Sequence, residues 1–191
     1  YQGVTILDNK IAKFLSKSLW VALILFVIRY LLWSFSSLYD FIGAAGEVIS
    51  STIILMGLYC TLIWKYNPLE KTPKLMGTYK GIIEYNFNGA ASKKDTLVKV
   101  KQTLLSIKIQ ITTNEITSNT IVGNLVEENE EYVLYYTYIT NPKSKYSKEN
   151  PIQYGTCRLL TNDKNRLVGT YWTSRQTIGA VSYTHLRAHE T

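Results

Sequence analysis

The sequence predicts a membrane-anchored all-β protein, a two-helix transmembrane hairpin followed by a small antiparallel eight-stranded β-barrel. Three observations predict it: two long apolar runs occupy the first third of the chain, a Pro-marked segment follows them, and beyond it apolar residues recur with period two. The chain has 191 residues, room for one domain and an anchor. Its 46% hydrophobic and 18% charged content argues against a disordered chain. Lysine and arginine (21) exceed aspartate and glutamate (14), giving a net charge of +7 that favours phosphate-bearing partners or an anionic membrane surface.

The first run, Leu19 to Trp33 (LWVALILFVIRYLLW), reaches membrane-spanning length with its flanks Phe14 to Leu38, since about 20 residues cross a hydrocarbon core. The second, Val48 to Trp64, carries no charged residue. A connector around Tyr39 to Gly46 makes the pair an antiparallel hairpin. Lys10, Lys13 and Lys17 precede the first span and Lys65, Lys71 and Lys74 follow the second, whereas the connector offers Asp40 and Glu47. Both long ends are therefore expected in the cytoplasm. Trp20, Trp33, Tyr39 and Trp64 suit the interfacial belts. Arg29 breaks the apolar pattern at about 2.5–3.5 kcal/mol on insertion scales. Asp40, three turns on, offers a partner at the interface; the alternative is that Arg29 lines a contact or polar path between assembled hairpins.

Residues 1–13 are read as a cytoplasmic N-terminal segment, 14–66 as the hairpin, 67–73 as the linker and 74–180 as the barrel. In the barrel, Val98, Val100 and Gln102 alternate with Lys99 and Lys101, and Ile107, Ile109 and Ile111 alternate with Lys108 and Gln110, the pattern of half-buried strands. Further strands are expected at Thr78 to Phe87, Thr120 to Glu127, Glu131 to Thr140, Ile152 to Thr161, Arg166 to Thr173 and Thr177 to Tyr183. Asn88-Gly89, Thr113-Asn114-Glu115, Glu128-Asn129-Glu130, Asn141-Pro142 and Asn162-Asp163-Lys164-Asn165 are turn chemistry between them. Eight strands without intervening helices form a meander, and closure removes its exposed edges. The longest loop, Asn141 to Pro151, carries Lys143, Lys145 and Lys148, a lid or a solvated basic loop.

Several chemistries are absent. Both histidines, His185 and His189, fall in the last seven residues, leaving no catalytic triad or histidine metal site inside the fold. No Gly-rich phosphate loop follows a strand, and no nucleophile has an adjacent base. No cofactor, metal or enzymatic activity is expected. Tyr1 in place of methionine is read as the start of a fragment, and Val181 to Thr191, into which the last expected strand runs, is read as translated adapter sequence. Cys60 in a span and Cys157 in a strand read as unpaired apolar fillers in a reducing compartment.

Two spans followed by a β-rich domain, with Gly77-Thr-Tyr-Lys-Gly81, Val98-Lys-Val-Lys-Gln-Thr103, Leu134-Tyr-Tyr-Thr-Tyr-Ile-Thr-Asn-Pro142, Tyr154-Gly155 and Leu167-Val-Gly-Thr-Tyr-Trp-Thr-Ser-Arg-Gln-Thr-Ile-Gly179, resemble the two-transmembrane, β-strand-rich effectors associated with CD-NTases in CBASS antiphage systems. The resemblance covers most of residues 14 to 180. It implies that the barrel senses a cyclic dinucleotide and that the protein forms a homo-oligomer on activation. It further implies that the clustered hairpins disrupt the lipid bilayer and kill the infected cell. The cognate CD-NTase would then be a partner only through its product, and no DNA or RNA polymer is expected to bind.

Such a ligand, with two phosphates and two flat bases, requires bidentate cations, aromatic faces and hydroxyl or amide groups. Along Leu167 to Arg175, alternation puts Leu167, Gly169, Tyr171, Thr173 and Arg175 on one face and Val168, Thr170, Trp172 and Ser174 on the other. Tyr171, Thr173 and Arg175 are the chosen ligand contacts, with Gly169 leaving room; alternatively Tyr171 is core and Arg175 starts a solvated turn. Arg158, on a face with Tyr154 and Thr156, is the second phosphate candidate or an exterior salt-bridged residue. Gln102 is expected inside, hydrogen-bonded to protein or ligand, and Tyr79 and Tyr136 complete the stacking candidates. A competing function, a membrane-tethered lipocalin-like carrier of an apolar or lipidic ligand, requires an apolar interior with Arg158 and Arg175 both outside.

Overall fold

A computed structural model describes residues 2–87, 90–148 and 150–186. The expected turn at Asn88-Gly89, His189 and residues 187–191 lie outside the described residues, as does the side chain of Lys10. The chain divides into two compact units, Tyr1–Pro68 and Leu69–Thr191.

In the first unit, helix α1 spans Gln2–Leu32 and helix α2 spans Leu38–Leu58, continuing through a π turn (Tyr59–Ile63) and a 3-10 turn (Trp64–Tyr66). Residues Ile11–Leu32 and Leu38–Tyr66 are long and apolar enough to cross a membrane. The connector lies earlier than expected, at residues 33–37, because the serines there start a helix. The Ser37 hydroxyl caps α2 by accepting the Asp40 N–H at 3.1 Å, and Asp40 accepts the Ser36 hydroxyl at 2.5 Å. Phe26 packs on Phe35 and Phe41 with ring centroids 5.6 and 5.7 Å apart, closing the hairpin at its turn. Asp40 is therefore committed to the cap, and Arg29 takes another partner. Its Nε donates to Glu47 Oε2 at 2.9 Å, its Nη1 donates to the Trp33 carbonyl at 3.1 Å, and the guanidinium lies 5.2 Å over the Trp33 ring.

The second unit is a closed up-and-down barrel of eight antiparallel strands, each paired with its sequence neighbours and β1 with β8. The strands are β1 (Gly77–Phe87), β2 (Ala90–Gln102), β3 (Ile107–Thr112), β4 (Ile116–Glu128), β5 (Glu131–Pro142), β6 (Gln153–Asp163), β7 (Arg166–Thr173) and β8 (Ile178–His185). Alternation turns one set of side chains inward: Val98 and Val100, Ile107, Ile109 and Ile111, Leu134, Leu159, Leu167 and Val181 form a continuous buried core. Each such side chain contributes about 1.5–3 kcal/mol by leaving water. A bulge at Thr120 interrupts the β4–β5 register, and the Thr120 hydroxyl bonds both the N–H and the carbonyl of Ile109 at 2.9 Å where the β3–β4 ladder stops.

Two features differ from the sequence expectation. The barrel does not stop near Ala180. Val181 and Tyr183 are buried in the core, and β8 pairs with β1 as far as His185, whose ring meets Tyr79 edge-on at 4.8 Å. Gly169 does not leave room for a ligand either. A Cβ there would sit 1.8 Å from the Arg158 carbonyl oxygen, so its bare backbone serves the β6–β7 approach.

The two ends of the barrel are unlike. At the end where residues 69–76 enter, Leu75 is fully buried, the Tyr79 hydroxyl lies 3.0 Å from the carbonyls of Leu75 and Lys164, and Gln102 accepts the Leu75 N–H at 2.7 Å and donates to the Pro73 carbonyl at 2.8 Å. These contacts plug that end. The opposite end carries residues 113–115, 143–148, 150–152 and 174–177, and among the described residues it is open.

Candidate ligand cavity

Inside the open end lies a cavity of about 310 Å³, at the small end of the range for small-molecule pockets. Register orders its lining by depth. Tyr136 on β5, Cys157 on β6 and Tyr183 on β8 form the floor; Ile83, Ile111, Tyr138, Tyr171 and Val181 form the wall; Tyr85, Lys94, Asn150, Thr173, Arg175 and Thr177 stand at the mouth.

Four inward tyrosines sit opposite glycines of the neighbouring strand: Tyr183 opposite Gly81, Tyr136 opposite Gly123, Tyr138 opposite Gly155 and Tyr171 opposite Gly179. A Cβ at Gly155 would meet the Tyr138 ring at 2.4 Å, and one at Gly179 would meet the Tyr171 ring at 2.5 Å. The glycines let the rings lie flat against the sheet, and the space they do not fill is the cavity.

Desolvation fixes the charge state of this interior. Burial pushes the Tyr171 phenol and the Cys157 thiol up to about 12, and raises Tyr136, Tyr138 and Tyr183 as well, so the floor and wall are neutral at physiological pH. The Tyr136 and Tyr183 hydroxyls lie beside each other and beside the Cys157 thiol, and neither completes a hydrogen bond of good geometry. Buried hydroxyls in that condition favour a guest that accepts or donates at the floor. Charge enters at the mouth, where Lys94 and Arg175 line the cavity and no carboxylate does among the described residues.

Glu115 stands just behind that mouth. Its carboxylate pairs closely with Lys94 Nζ and accepts from Asn150 Nδ2 at 2.9 Å, while its carbonyl accepts the Lys143 N–H at 2.9 Å. The long β5–β6 loop is thereby pinned to β3–β4, and Lys94 is neutralised by an internal anion that an incoming one must replace. Replacing Glu115 by Gln keeps the side chain's shape and one acceptor oxygen for Asn150 and removes the competing charge. Anion affinity in that variant is expected to rise several-fold in titration calorimetry, and a fall would show that Glu115 instead assembles the mouth.

The structure brings together four of the residues singled out in the sequence: Tyr136, Tyr171, Thr173 and Arg175 all line the cavity. It separates the others. Tyr79 and Gln102 face inward but belong to the plug, where their hydrogen-bonding groups serve the entering chain. Arg158 is outside, its Nη2 on Glu128 Oε2 at 2.9 Å and its Nε on the Tyr135 hydroxyl at 2.8 Å. Hydrophobic alternation decides this, because Cys157 and Leu159 take the inner face of β6. Arg29 belongs to the helical hairpin. With Arg175 on the cavity and hydroxyls along its wall, the apolar interior that a lipid carrier requires is not present. Lys94 and Tyr138 were not singled out, though parity reaches both: Lys94 shares a face with Thr96 and Val98, and Tyr138 with Tyr136. Asn150 lies in a loop, where no periodicity points to it. Lys143, Lys145 and Lys148 are exposed on that loop.

Comparison with known proteins agrees with this geometry. Residues 70–185 match the family described as "Cap15, cyclic dinucleotide receptor domain". The chain is also 41% identical over 135 residues to CD-NTase-associated protein 15 of Staphylococcus schleiferi, an alignment covering 69% of this chain and 72% of that protein.

Proposed function

The chain belongs to the Cap15 family, and from that premise we propose that it is a CBASS antiphage effector whose barrel binds a cyclic dinucleotide, and whose occupied state assembles and disrupts the membrane. The observation that carries the reading is the open-ended cavity: flat tyrosine faces on the wall, hydroxyl and amide groups around them, and two cations at the mouth. A base stacks against Tyr138 and Tyr171, each such stack contributing about 1–3 kcal/mol. Ribose and base edges meet Thr173, Thr177 and Asn150, and the phosphates remain at the mouth beside Lys94 and Arg175. A cavity of about 310 Å³ favours a ligand inserted base-first with part of its ring at the loops, where occupancy changes the outer surface that a second copy meets. The barrel's role is then that of a receptor rather than a catalyst.

The hairpin supplies the output. Its two helices cross the inner membrane with both termini cytoplasmic, in keeping with the lysines flanking the spans. Titration calorimetry of the full chain in nanodiscs against a panel of cyclic dinucleotides is expected to give saturable heat with at least one, and dye-loaded vesicles holding the chain are expected to leak when that ligand is added. A folded chain that gives no heat with any of them rejects the receptor reading. Binding without leakage confines the error to the output step.

A further inference from the structure

The outer wall of β1–β3 at the plugged end is more basic than a solvated sheet face requires. Lys80 on β1, Lys99 and Lys101 on β2 and Lys108 on β3 all point outward and are exposed. Lys101 stands directly opposite Lys108 in the register, and Lys99 faces Gln110 and Thr78. Like charges in direct cross-strand register destabilise a sheet. Among the described residues none of these four lysines is ion-paired, whereas Lys93 and Lys94, on the same strand β2 but toward the mouth, are paired with Glu84 and Glu115.

Two further observations point to what the face meets. The β2–β3 turn, residues 103–106, presents Leu105 with 47% of its surface exposed at the tip between the two opposed lysines, an apolar probe flanked by positive charge. The chain also enters the barrel at this same end, with exposed Lys71 and Lys74 on the way, no more than about 35 Å of extended chain beyond the end of the apolar helical segment at Tyr66. No exposed aromatic residue stands among these lysines to stack a base, which separates the face from a single-stranded nucleic-acid platform.

We infer that this face, Lys80, Lys99, Lys101 and Lys108 around the Leu105 tip, docks the barrel on anionic phospholipid headgroups of the bilayer that holds the hairpin. Juxtamembrane lysines are drawn to anionic leaflets, and an exposed leucine adds a contact at the headgroup boundary. The inference goes beyond the receptor reading and depends only on the hairpin spanning a membrane.

The test is lysine-acylation footprinting of the full chain in nanodiscs of phosphatidylcholine alone or with one third phosphatidylglycerol, with protease protection of the hairpin read in the same samples. Modification of Lys99, Lys101 and Lys108 is expected to slow several-fold in the anionic discs and to recover in high salt, where exposed charges are screened, while Lys143 and Lys145 near the mouth keep one rate throughout. A second variant, Lys101→Gln with Lys108→Gln, relieves the like-charge pair and is expected to stay folded while losing the lipid dependence. Equal rates in both discs with a protected hairpin overturn the docking and leave the membrane anchor intact. An unprotected hairpin overturns both. Slowing by an RNA oligonucleotide in the absence of any lipid effect reassigns the face and overturns the inference.

Discussion

Replacing Gly169 by Ala is expected to unfold the barrel or reduce it to a loosely packed state, with loss of the near-ultraviolet circular dichroism of its tyrosines and of its cooperative melt. The added Cβ would lie 1.8 Å from the Arg158 carbonyl oxygen, 2.8 Å from its carbonyl carbon and 2.9 Å from Leu159 Cα. All three are backbone atoms of β6, held in the ladder on both sides, so no side-chain rotation relieves the overlap. Relief requires the β6–β7 pairing to open, and an opened barrel exposes two edges along its core. A cost of about 4 kcal/mol or more is the size that the few severe single substitutions reach, against a total stability of about 5–15 kcal/mol for an ordinary domain. Thr170→Ala, at an exposed outward position of the same strand, is the control and is expected to melt within about 0.5 kcal/mol of the parent. A Gly169→Ala protein with parental melting would show that β6 and β7 can separate locally without loss of closure.

That glycine marks the boundary of what was legible in the sequence. The strands were legible because burial on one face and water on the other impose a period of two, and the runs Val98 to Gln102 and Ile107 to Ile111 carry it plainly. Closure followed from eight such runs without helices between them. Along Leu167 to Arg175 parity separated two faces without saying which turns inward, and ligand chemistry chose the face of Leu167 and Tyr171, which the fold buries. Parity is silent on height along the barrel axis, though. Tyr79, Gln102 and Tyr136 all face inward, but only register and the entry of residues 69–76 place the first two in the plug and the third on the cavity floor. Gly169 is a related case, since its inward position was visible and the 1.8 Å approach of a neighbouring strand was not.

Arg158 takes its exterior, salt-bridged alternative for a different reason. Both faces of β6 carry chemistry, and ligand logic favoured the face of Tyr154, Thr156 and Arg158, whereas burial favoured that of Cys157 and Leu159. Burial of two apolar side chains outweighs a prospective ligand contact because it acts whether or not a ligand is present. The hairpin connector shifted for a local reason: the run Ser34 to Ser37 is a helix-start signal, and capping by Ser37 moved α2 ahead of the glycines that looked like a loop. Arg29 then paired with Glu47 because the cap had already engaged Asp40.

Arg175→Ala is expected to weaken cyclic-dinucleotide binding by about 1.5–3 kcal/mol, the range for a hydrogen bond to a charged group, or roughly 10- to 150-fold in Kd. Arg175 sits in the β7–β8 turn at the cavity mouth, on a frame fixed by the Thr173 N–H to Thr177 carbonyl bond at 3.0 Å and the Gln176 N–H to Thr173 carbonyl bond at 3.0 Å. The turn uses a left-handed residue at Gln176, φ 59°, so the guanidinium is presented by a defined loop rather than by a strand end. Removing it leaves the core untouched, and the melting temperature is expected to stay near the parental value while affinity falls. Arg175→Lys keeps the charge and loses the planar fork, so an intermediate affinity indicates bidentate phosphate recognition and a parental one indicates a simple point charge. The salt dependence separates this residue from the tyrosine wall, because stacking on Tyr171 and Tyr138 persists in high salt and a rim charge is screened. Calorimetry of the full chain in nanodiscs at two salt concentrations measures both. Unchanged affinity on Arg175→Ala would remove the residue from the site and leave Lys94 as the cation that meets the phosphates, in which case Glu115→Gln should raise affinity by the same factor in the double variant as alone.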